Sequence, residues 1–379
     1  MAQALTYRSS HGDVPSFTHG GPSGVEKPGN RPGPRMAGVL SLIECGSAIY
    51  FGSFAMLLSQ KTKYLILGLG SFVPGYARLP VLSKAASVSA GGTDSARYCY
   101  SVWLRHLVKA YENGLPTNPA AVAELGPGDS IGVGLAALLS GATTYYAFDA
   151  LNYLDNTRNL QVFDELVELF CKRDNIPDNQ EFPEVRPALD SYEFPSGALA
   201  DAHLRDCLRR QRTESIREEL LDFKRAQHRF IFYAAPWDNQ TVLRPNSIDM
   251  VYSQAVLEHV NDLEVTYQSL FKWLKPGGIM SHVIDFRCHG CAEQWNGHWS
   301  YSDLTWKLIR GKRSFLINRA PHNIHLALLK EHGFDVVYEL RQRAPPSSGI
   351  DRSRLAPGFR DISDEDLQTS GAFIQAVKK

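Results

Sequence analysis

Apolar and polar positions follow one another along this chain with two different periods. Short apolar runs at 120–125, 144–149 and 278–286 predict buried strands, and the apolar spacing within 160–170 predicts a helix. The segment 131–142 is apolar on every side, which predicts a buried helix. Alternation of strands and helices is typical of an α/β fold, in which helices cover both faces of a parallel sheet.

The same alternation continues to the end of the chain. Further strands are predicted at 229–235 and 247–253, and in the final segments "FDVVYELR" and "AFIQAVK". A long helix is expected to begin at a cap on Thr93 or Asp94 and to end at Gly114. Strand and helix therefore alternate from about residue 93 onward.

The interval between the second and third predicted strands is too long for a simple alternation of strands and helices. Asp149 and Phe230 lie about eighty residues apart, whereas a connection between neighbouring strands needs far fewer. Residues 173–228 are therefore predicted to form an insertion after strand two. Its second half carries many charges of both signs and is predicted to be helical, either as a solvated helix pair or as a lid over an active site.

The N-terminal part of the chain has a different character. Residues 1–35 are rich in Gly, Pro, Ser and His and are predicted to be disordered. Residues 36–58 are apolar over a length that could span a bilayer, interrupted by Glu44. They belong to an apolar arm at 36–92, which either contacts a membrane through 36–60 or packs on the domain or on a second subunit.

Charge and cysteine content narrow the class of protein. Among 379 residues, 40 Lys and Arg balance 40 Asp and Glu, which argues against a nucleic-acid-binding protein with its usual basic excess. Six cysteines are too few for a disulfide scaffold at this length, and no apolar core near Met1 fits a secretory signal. We therefore expect a cytoplasmic protein with reduced thiols, and the apolar arm leaves membrane association open.

A glycine loop, "AELGPGDSIG" at 123–132, lies where the first strand turns into the buried helix. Gly126 and Gly128 let the backbone approach a ligand and expose N–H groups at the start of the helix. The third glycine of a dinucleotide fingerprint is replaced by Ile131, and the Gly-Lys-Ser/Thr of a phosphate loop is missing. Glu124, two residues before the first glycine, suits a ligand that carries positive charge.

These residues resemble the first motif of the class I S-adenosylmethionine-dependent methyltransferases, an acid followed by three alternating glycines. Glu124, Gly126 and Gly128 match this motif, whereas Ser130 replaces the last glycine. Asp149 stands at the end of strand two, where the family has an acid for the ribose hydroxyls. A carboxylate suits this position because its two oxygens can accept from two neighbouring hydroxyls.

Two later motifs of the same family follow in the expected order, "SIDMVYSQAVLEHV" and "LKPGG". The resemblance covers residues 93–379. It implies a doubly wound, Rossmann-like sheet of seven strands with a reversed last strand, carrying a helical insertion after strand two and an N-terminal extension. It also implies S-adenosyl-L-methionine as the cofactor.

The remaining cofactor contacts are expected after strands three and four. Trp237 either stacks on the adenine or is a core residue, and Asp238 could accept from the adenine amino group. Ser253 and Gln254 follow strand four at the carboxyl edge, where open sheets bind ligands. Asp129, inside the glycine loop, completes the predicted cofactor set.

The stretch "DFRCHGCAEQWNGHWSY" at 285–301 leaves the next strand at the same edge, where this fold places the methyl acceptor. Cys288 and Cys291 could suggest zinc, but no second cysteine pair lies nearby in sequence, so we predict no metal. The stretch is either a loop with buried tryptophans or a wall of the acceptor pocket, suited to a sugar, another polyol or a cationic group. The nearby "LEHV" at 257–260 is expected to pack at a helix start.

Methyl transfer to an alcohol needs a base for the hydroxyl proton, whereas an amine acceptor needs only to be neutral. The candidates for this base are His298, His289, His282 and Asp285. We favour His298 because the flanking "WNGHW" offers a pocket and a histidine near its ordinary pKa suits the role. A metal-dependent sugar methyltransferase, with Asp285 and a histidine as ligands, stays an alternative.

The resemblance therefore predicts an O-methyltransferase of the bacterial small-molecule or glycan type, acting on a free or lipid-linked acceptor. An N- or C-methyltransferase of a natural product and a cofactor-binding scaffold without turnover are the alternatives. A nucleic-acid substrate is disfavoured because "SQAV" follows strand four in place of an Asn/Asp-Pro-Pro-Tyr/Phe motif. Acceptor identity and oligomeric state are not determined by the sequence.

Overall fold

The fold is built on one sheet, in a computed structural model that describes residues 59–75, 92–152, 154–223, 228–237, 241–313 and 316–379. The strands are β1 Ala121–Leu125, β2 Thr144–Phe148, β3 Ile231–Ala234, β4 Ile248–Gln254, β5 Leu274–Asp285, β6 Phe334–Arg343 and β7 Thr369–Lys378. Their order in the sheet is β3-β2-β1-β4-β5-β7-β6. Strands β1 to β5 pair in parallel, and β7 is antiparallel to both β5 and β6. The seven-stranded α/β sheet with a reversed last strand is therefore confirmed.

Helices cover the sheet. In chain order they are α1 Gln60–Gly70, α2 Ala96–Glu112, α3 Gly132–Leu139, α4 Asn156–Lys172, α5 Asp201–Cys207, α6 Arg210–Leu221, α7 Leu263–Trp273, α8 Asp303–Arg310, α9 His322–Glu331 and α10 Asp364–Gln368. Every residue of α3 is buried, as its uniformly apolar sequence predicts. A Cβ on Gly134 would lie 2.0 Å from the Tyr145 ring, so α3 approaches β2 more closely than a larger side chain would allow.

Two of the element boundaries that differ from the prediction are the start of α2 and the start of β5. The cap of α2 is Ser95, whose hydroxyl accepts from the Tyr98 N–H, and not Thr93 or Asp94. Strand β5 begins at Leu274, four residues before the predicted start, because Leu274 already pairs with Ile248 of β4. The second difference arises from a pairing between strands that a local pattern does not contain.

The predicted insertion after β2 has two unlike halves. Residues 173–200 contain neither helix nor strand, whereas α5 and α6 follow at 201–221. His203 of α5 bonds to the Ser140 carbonyl at 2.9 Å, and the Glu219 carboxylate of α6 accepts from the N–H of Ile231 at 2.9 Å. These contacts lie at the amino ends of β2 and β3, opposite the edge that carries the glycine loop. The helical half is therefore not the lid that the sequence left open.

Helix α1 is the described part of the predicted apolar arm. It crosses α8 closely at Gly68, where a Cβ would lie 1.9 Å from the Leu308 carbonyl oxygen. The compact unit begins at Leu58, so a domain boundary at residue 93 leaves out a helix that packs on the domain. The segments 1–35 and 36–58 lie outside the described residues. No helix in the described part of the chain is long and apolar enough to cross a membrane.

Candidate active site

Four parallel strands deliver the candidate residues to one edge of the sheet. Leu125 at the end of β1 pairs with Phe148 of β2 on one side and with Ser253 of β4 on the other. Gln254 at the end of β4 pairs with Val283 of β5. The loops after β1, β2, β4 and β5 therefore start side by side at the carboxyl ends of the strands, which is where open α/β sheets bind ligands.

The glycine loop after β1 depends on its two glycines. Gly126 has φ +64° and Gly128 has φ +75°, a region that favours glycine. A Cβ on Gly126 would lie 2.7 Å from a methyl carbon of Val256, so the loop touches the segment that follows β4. The Gly126 N–H also donates to the Phe148 carbonyl at 2.7 Å. The loop is thus fixed between the ends of β2 and β4.

Ser130 explains why the third glycine of the motif is absent. Its backbone N–H donates to the Thr93 hydroxyl at 2.9 Å, and its own hydroxyl donates to the Thr93 carbonyl. The same hydroxyl accepts from the Gly132 N–H at 3.1 Å. A serine at this position therefore ties the glycine loop to the residues that precede α2.

Glu124 is a buried acid on β1, just before the loop. The Tyr145 hydroxyl donates to its carboxylate, and burial raises the pKa of the Glu124 carboxyl to about 7. A carboxyl group with a pKa near neutrality gains a proton or loses it at small cost. A cationic ligand beside it would favour the ionised form.

Asp149 lies between two loops. One carboxylate oxygen accepts from the Gly128 N–H at 3.3 Å and the other from the Ala150 N–H at 2.6 Å. Burial raises the pKa of Asp149 against these hydrogen bonds. The oxygen bonded to Ala150 also accepts from the Leu151 N–H at 3.4 Å. Since a carboxylate oxygen can accept more than one hydrogen bond, the oxygen bonded to Gly128 retains capacity for a ligand hydroxyl.

Trp237 and Asp129 lie near the same edge. Trp237 is half-buried, packs on Phe148 at 6.0 Å between ring centroids, and donates its backbone N–H to the Asp149 carbonyl at 3.1 Å. Asp129 is partly exposed and accepts from Arg158 through its backbone carbonyl at 3.0 Å. Asp238 lies outside the described residues.

Ser253, Gln254 and His282 join a polar network that runs into the sheet. Ser253 is fully buried and bonds to His282 at 2.7 Å, and burial lowers the pKa of His282 to about 3. Gln254 contacts His106 of α2 at 3.3 Å. His282 and Ser253 therefore lie inside the sheet, and Gln254 alone of the three is partly exposed.

Asp285 and His289 form a polar pair at the end of β5. The His289 Nε2 atom lies 3.3 Å from an Asp285 carboxylate oxygen, and the Arg287 guanidinium donates to the same carboxylate at 2.7 Å. Burial opposes ionisation of Asp285, but the hydrogen bonds from His289 and Arg287 outweigh it and hold the pKa of Asp285 well below its usual range. His289 is exposed and adopts φ +48°.

Glu258 and His259 lie beside this pair, in a 3₁₀ turn at Leu257–His259 that follows β4. Glu258 is buried, and burial raises its pKa well above the usual value, although nearby amides of Glu258 and Asp285 oppose the shift. One ligand atom each of Glu258, His259 and His289 lies within 4.8 Å of the other two. The sequence assigned Glu258 and His259 to packing, because nothing local shows that β5 brings His289 against them.

His298 lies in a different environment from His289. It is 1% exposed, its ring packs on Trp299 at 5.1 Å, and burial lowers its pKa to about 3. Trp299 is fully buried and donates its indole N–H to the Arg319 carbonyl at 3.0 Å. The second half of the 285–301 stretch is therefore a loop with a buried tryptophan, whereas its first half carries the exposed polar groups.

The two cysteines of this stretch are buried and free. Cys288 donates to the Ala292 carbonyl at 3.4 Å, and the cluster of ligand-type residues described above does not include either cysteine. A hydrogen bond with Cys291 lowers the pKa of the Cys288 thiol to about 6. Cys288 and Cys291 therefore interact with each other.

Two segments remote in sequence reach the part of the edge where β4 and β5 end. The Tyr64 hydroxyl of α1 donates to the His289 carbonyl at 3.1 Å, and Gln254 donates to the Arg186 carbonyl at 3.2 Å. Buried Arg105 of α2 holds the second segment, donating to the carbonyls of Pro177 at 2.9 Å, Val185 at 2.9 Å and Pro187 at 3.0 Å. The irregular half of the insertion, and not its helices, borders the site.

Comparison with known proteins agrees with this architecture. A family model described as a methyltransferase domain matches residues 214–281, which contain β3, β4 and the start of β5. The chain is a methyltransferase. No curated protein matches the chain.

Several solved methyltransferase structures share the outline of the fold. An S-adenosylmethionine-dependent methyltransferase from Mesorhizobium loti is 12% identical, with a TM-score of 0.35, over 72% of this chain and 98% of that one. One from Methanosarcina mazei is 13% identical, with a TM-score of 0.35, over 71% and 96%. Phosphoethanolamine N-methyltransferase 2 from Haemonchus contortus is 13% identical, with a TM-score of 0.36, over 73% and 52%. These values are too low to carry any assignment of substrate.

Proposed function

We propose that this methyltransferase transfers the methyl group of S-adenosylmethionine to a hydroxyl group of a small-molecule or glycan acceptor. One observation carries the proposal. Carboxyl and imidazole side chains converge at the ends of β4 and β5, in Glu258, His259, Asp285 and His289. Glu258 and His259 follow directly the segment whose Val256 touches the glycine loop, so an acceptor held by this cluster lies next to the cofactor.

The cofactor half of the site follows from the loops after β1 and β2. Gly126 and Gly128 shape the loop around the methionine part of the ligand, and Glu124 balances its positive charge. Asp149 accepts from the ribose hydroxyls, in addition to the N–H groups that hold it. Trp237 stacks on the adenine from its position beside Asp149.

The reaction is an in-line displacement at the methyl carbon. An oxygen lone pair of the acceptor forms the new C–O bond while the S–C bond breaks, and S-adenosylhomocysteine leaves with the electron pair on sulfur. The hydroxyl proton passes to the polar cluster and from there to water. Alignment of the acceptor with the S–CH₃ axis supplies much of the rate enhancement, and removal of the proton adds to it. His289 suits this cluster better than His298, which is buried among aromatic rings.

A transfer assay tests the proposal. The full-length chain is incubated with methyl-labelled S-adenosylmethionine and with sugars, lipid-linked glycans and phenols, alongside matched amines. Label should appear in a hydroxyl-bearing acceptor together with an equal amount of S-adenosylhomocysteine. Transfer only to amines or carbon acids would show that the hydroxyl assignment is wrong. Binding of the cofactor without release of S-adenosylhomocysteine above the acceptor-free background would favour a scaffold.

A further inference from the structure

Glu258 is the most unusual polar residue at the acceptor end of the site. It is 3% exposed, and neither oxygen of its side chain has a hydrogen-bond partner of normal geometry among the described residues. A buried carboxyl group normally accepts hydrogen bonds or faces a cation, because removal from water is otherwise unfavourable. Tyr145 plays that part for Glu124 in the same sheet. No side chain in the described part of the protein donates a hydrogen bond to Glu258 in this way.

Two imidazoles face this carboxyl group. The rings of His259 and His289 lie 5.0 Å apart, nearly perpendicular to each other, and one ligand atom of each is within 4.8 Å of a Glu258 oxygen. Ligand atoms that share one zinc ion through bonds of about 2.1 Å lie about 3.4 Å apart. Small side-chain rotations would therefore bring the three atoms into contact with one ion.

His289 has the further feature that metal-binding histidines usually have. One ring nitrogen lies 3.3 Å from an Asp285 carboxylate oxygen, which leaves the other nitrogen for a ligand bond. Metal-bound histidines almost always donate their second N–H to a carboxylate or carbonyl, which fixes the ring orientation and the tautomer. Arg287 in turn holds Asp285 through two hydrogen bonds from its Nε atom, at 2.9 and 3.0 Å.

We propose that Glu258, His259 and His289 bind a divalent first-row transition-metal ion such as Zn²⁺ or Mn²⁺, and that Asp285 orients His289. One carboxylate and two imidazoles are donors that such ions accept, and three protein ligands leave positions open for a substrate. The positive charge of the ion would favour the carboxylate form of Glu258. Cys288 and Cys291, whose spacing in the sequence could suggest zinc, are not ligands of this ion.

The ion gives the acceptor a defined chemistry. A hydroxyl bound to it loses its proton more readily, and a second hydroxyl on the adjacent carbon can fill another open position. The preferred acceptor class is therefore a vicinal diol or a catechol. This statement about the acceptor rests on the proposed function, whereas ion binding itself does not.

Ion binding is tested on the full-length chain after dialysis against a chelator. Zn²⁺ and Mn²⁺ are titrated by calorimetry, and S-adenosylmethionine affinity is measured on the same samples as a check of folding. We expect one ion per chain, an affinity about 100-fold lower in Glu258→Gln and in His289→Asn, and about 10- to 100-fold lower in Asp285→Asn. His332→Asn is the matched control, because His332 lies 2.9 Å from Glu264 in another Glu–His pair and should bind as wild type.

The outcomes separate this inference from the proposed function. Unchanged ion affinity in Glu258→Gln and His289→Asn, or no ion binding by a wild-type chain that binds S-adenosylmethionine, would overturn the ion site and leave methyl transfer standing. Ion binding that depends on Glu258, in a chain that transfers no methyl group, would support the ion site and contradict the proposed function. Faster transfer to vicinal diols than to isolated alcohols, lost with the ion, would support the acceptor class.

Discussion

The two ends of the substrate edge satisfy their acidic side chains in different ways. On the cofactor side, Glu124 accepts from the Tyr145 hydroxyl and Asp149 accepts from three backbone N–H groups. On the acceptor side, Glu258 is as deeply buried as Glu124 and has no such partner among the described residues. On the cofactor side, groups of the protein itself satisfy the acidic side chains. On the acceptor side, we infer that a bound ligand satisfies Glu258.

The two ends also differ in how they are built. The cofactor half consists of loops that follow directly from β1 and β2. The acceptor half is bordered by distant segments: α1 through Tyr64, and the irregular half of the insertion through Glu184 and Arg186. Specificity for an acceptor therefore depends on parts of the chain that lie outside the strand and loop pattern of the sheet.

The largest effect is expected from His289→Ala. Turnover should fall by about 10²- to 10⁴-fold, because the side chain takes part in proton removal or in binding the ion that assists it. Affinity for S-adenosylmethionine, measured by calorimetry, should stay within about twofold, since His289 lies on the acceptor side. His332→Ala serves as the control and should keep both properties. Full turnover in His289→Ala would show that His289 has no role in the reaction, and the proposed functional difference between the two ends would be wrong.

Arg105→Ala tests the support of the acceptor side. Loss of its hydrogen bonds to the Pro177, Val185 and Pro187 carbonyls should lower the free energy of unfolding by about 3 kcal/mol. Limited proteolysis should then cut within 173–187 before the sheet unfolds. Arg97→Ala, which removes an exposed ion pair with Glu181, should cost less than about 1 kcal/mol. Equal losses in both variants would show that Arg105 does not fix the segment.

On the cofactor side, Asp149→Ala should weaken S-adenosylmethionine binding by about tenfold or more, since hydrogen bonds to a charged group contribute about 1.5–3 kcal/mol each. Calorimetric titration measures this directly. Asp164→Ala, at an exposed pair with Arg217, should bind like wild type. An unchanged affinity in Asp149→Ala would contradict the assignment of the ribose site.

The smallest effect concerns the pH dependence that Glu124 imposes. Burial raises the pKa of its carboxyl to about 7 from 4.5, so the folded chain binds more protons than the unfolded chain between these values. Its contribution to stability is therefore lost as the pH rises from about 4.5 to about 7, and cofactor affinity should rise around pH 7, where the carboxylate forms in the folded chain. Glu124→Gln should flatten both profiles in thermal melts and titrations. Profiles identical to wild type would show that Glu124 does not titrate there.

The strands and loops that carry the proposed cofactor residues were predictable because their signals are local. The strand that ends in Glu124, the glycines that follow and the acid after β2 each occupy a few consecutive residues. Ser130 was recognised as a departure from the motif, but its bonds to Thr93 could not be foreseen. The favoured base, His298, stays a weaker candidate than His289 because its neighbours, Trp299 among them, bury it.

The sequence by itself determined the order of strands and helices, the insertion after β2 and the glycine loop, since periodicity and turn chemistry act over short stretches of chain. Tertiary structure alone decided that Glu258 and His259 meet His289, thirty residues further on. That meeting requires β4 and β5 to lie side by side and to end at the same edge, with the backbone of His289 in a left-handed conformation. The burial of Glu258, with no hydrogen-bond partner of normal geometry among the described residues, is likewise a property of the packed molecule, because it depends on every element that surrounds the carboxyl group.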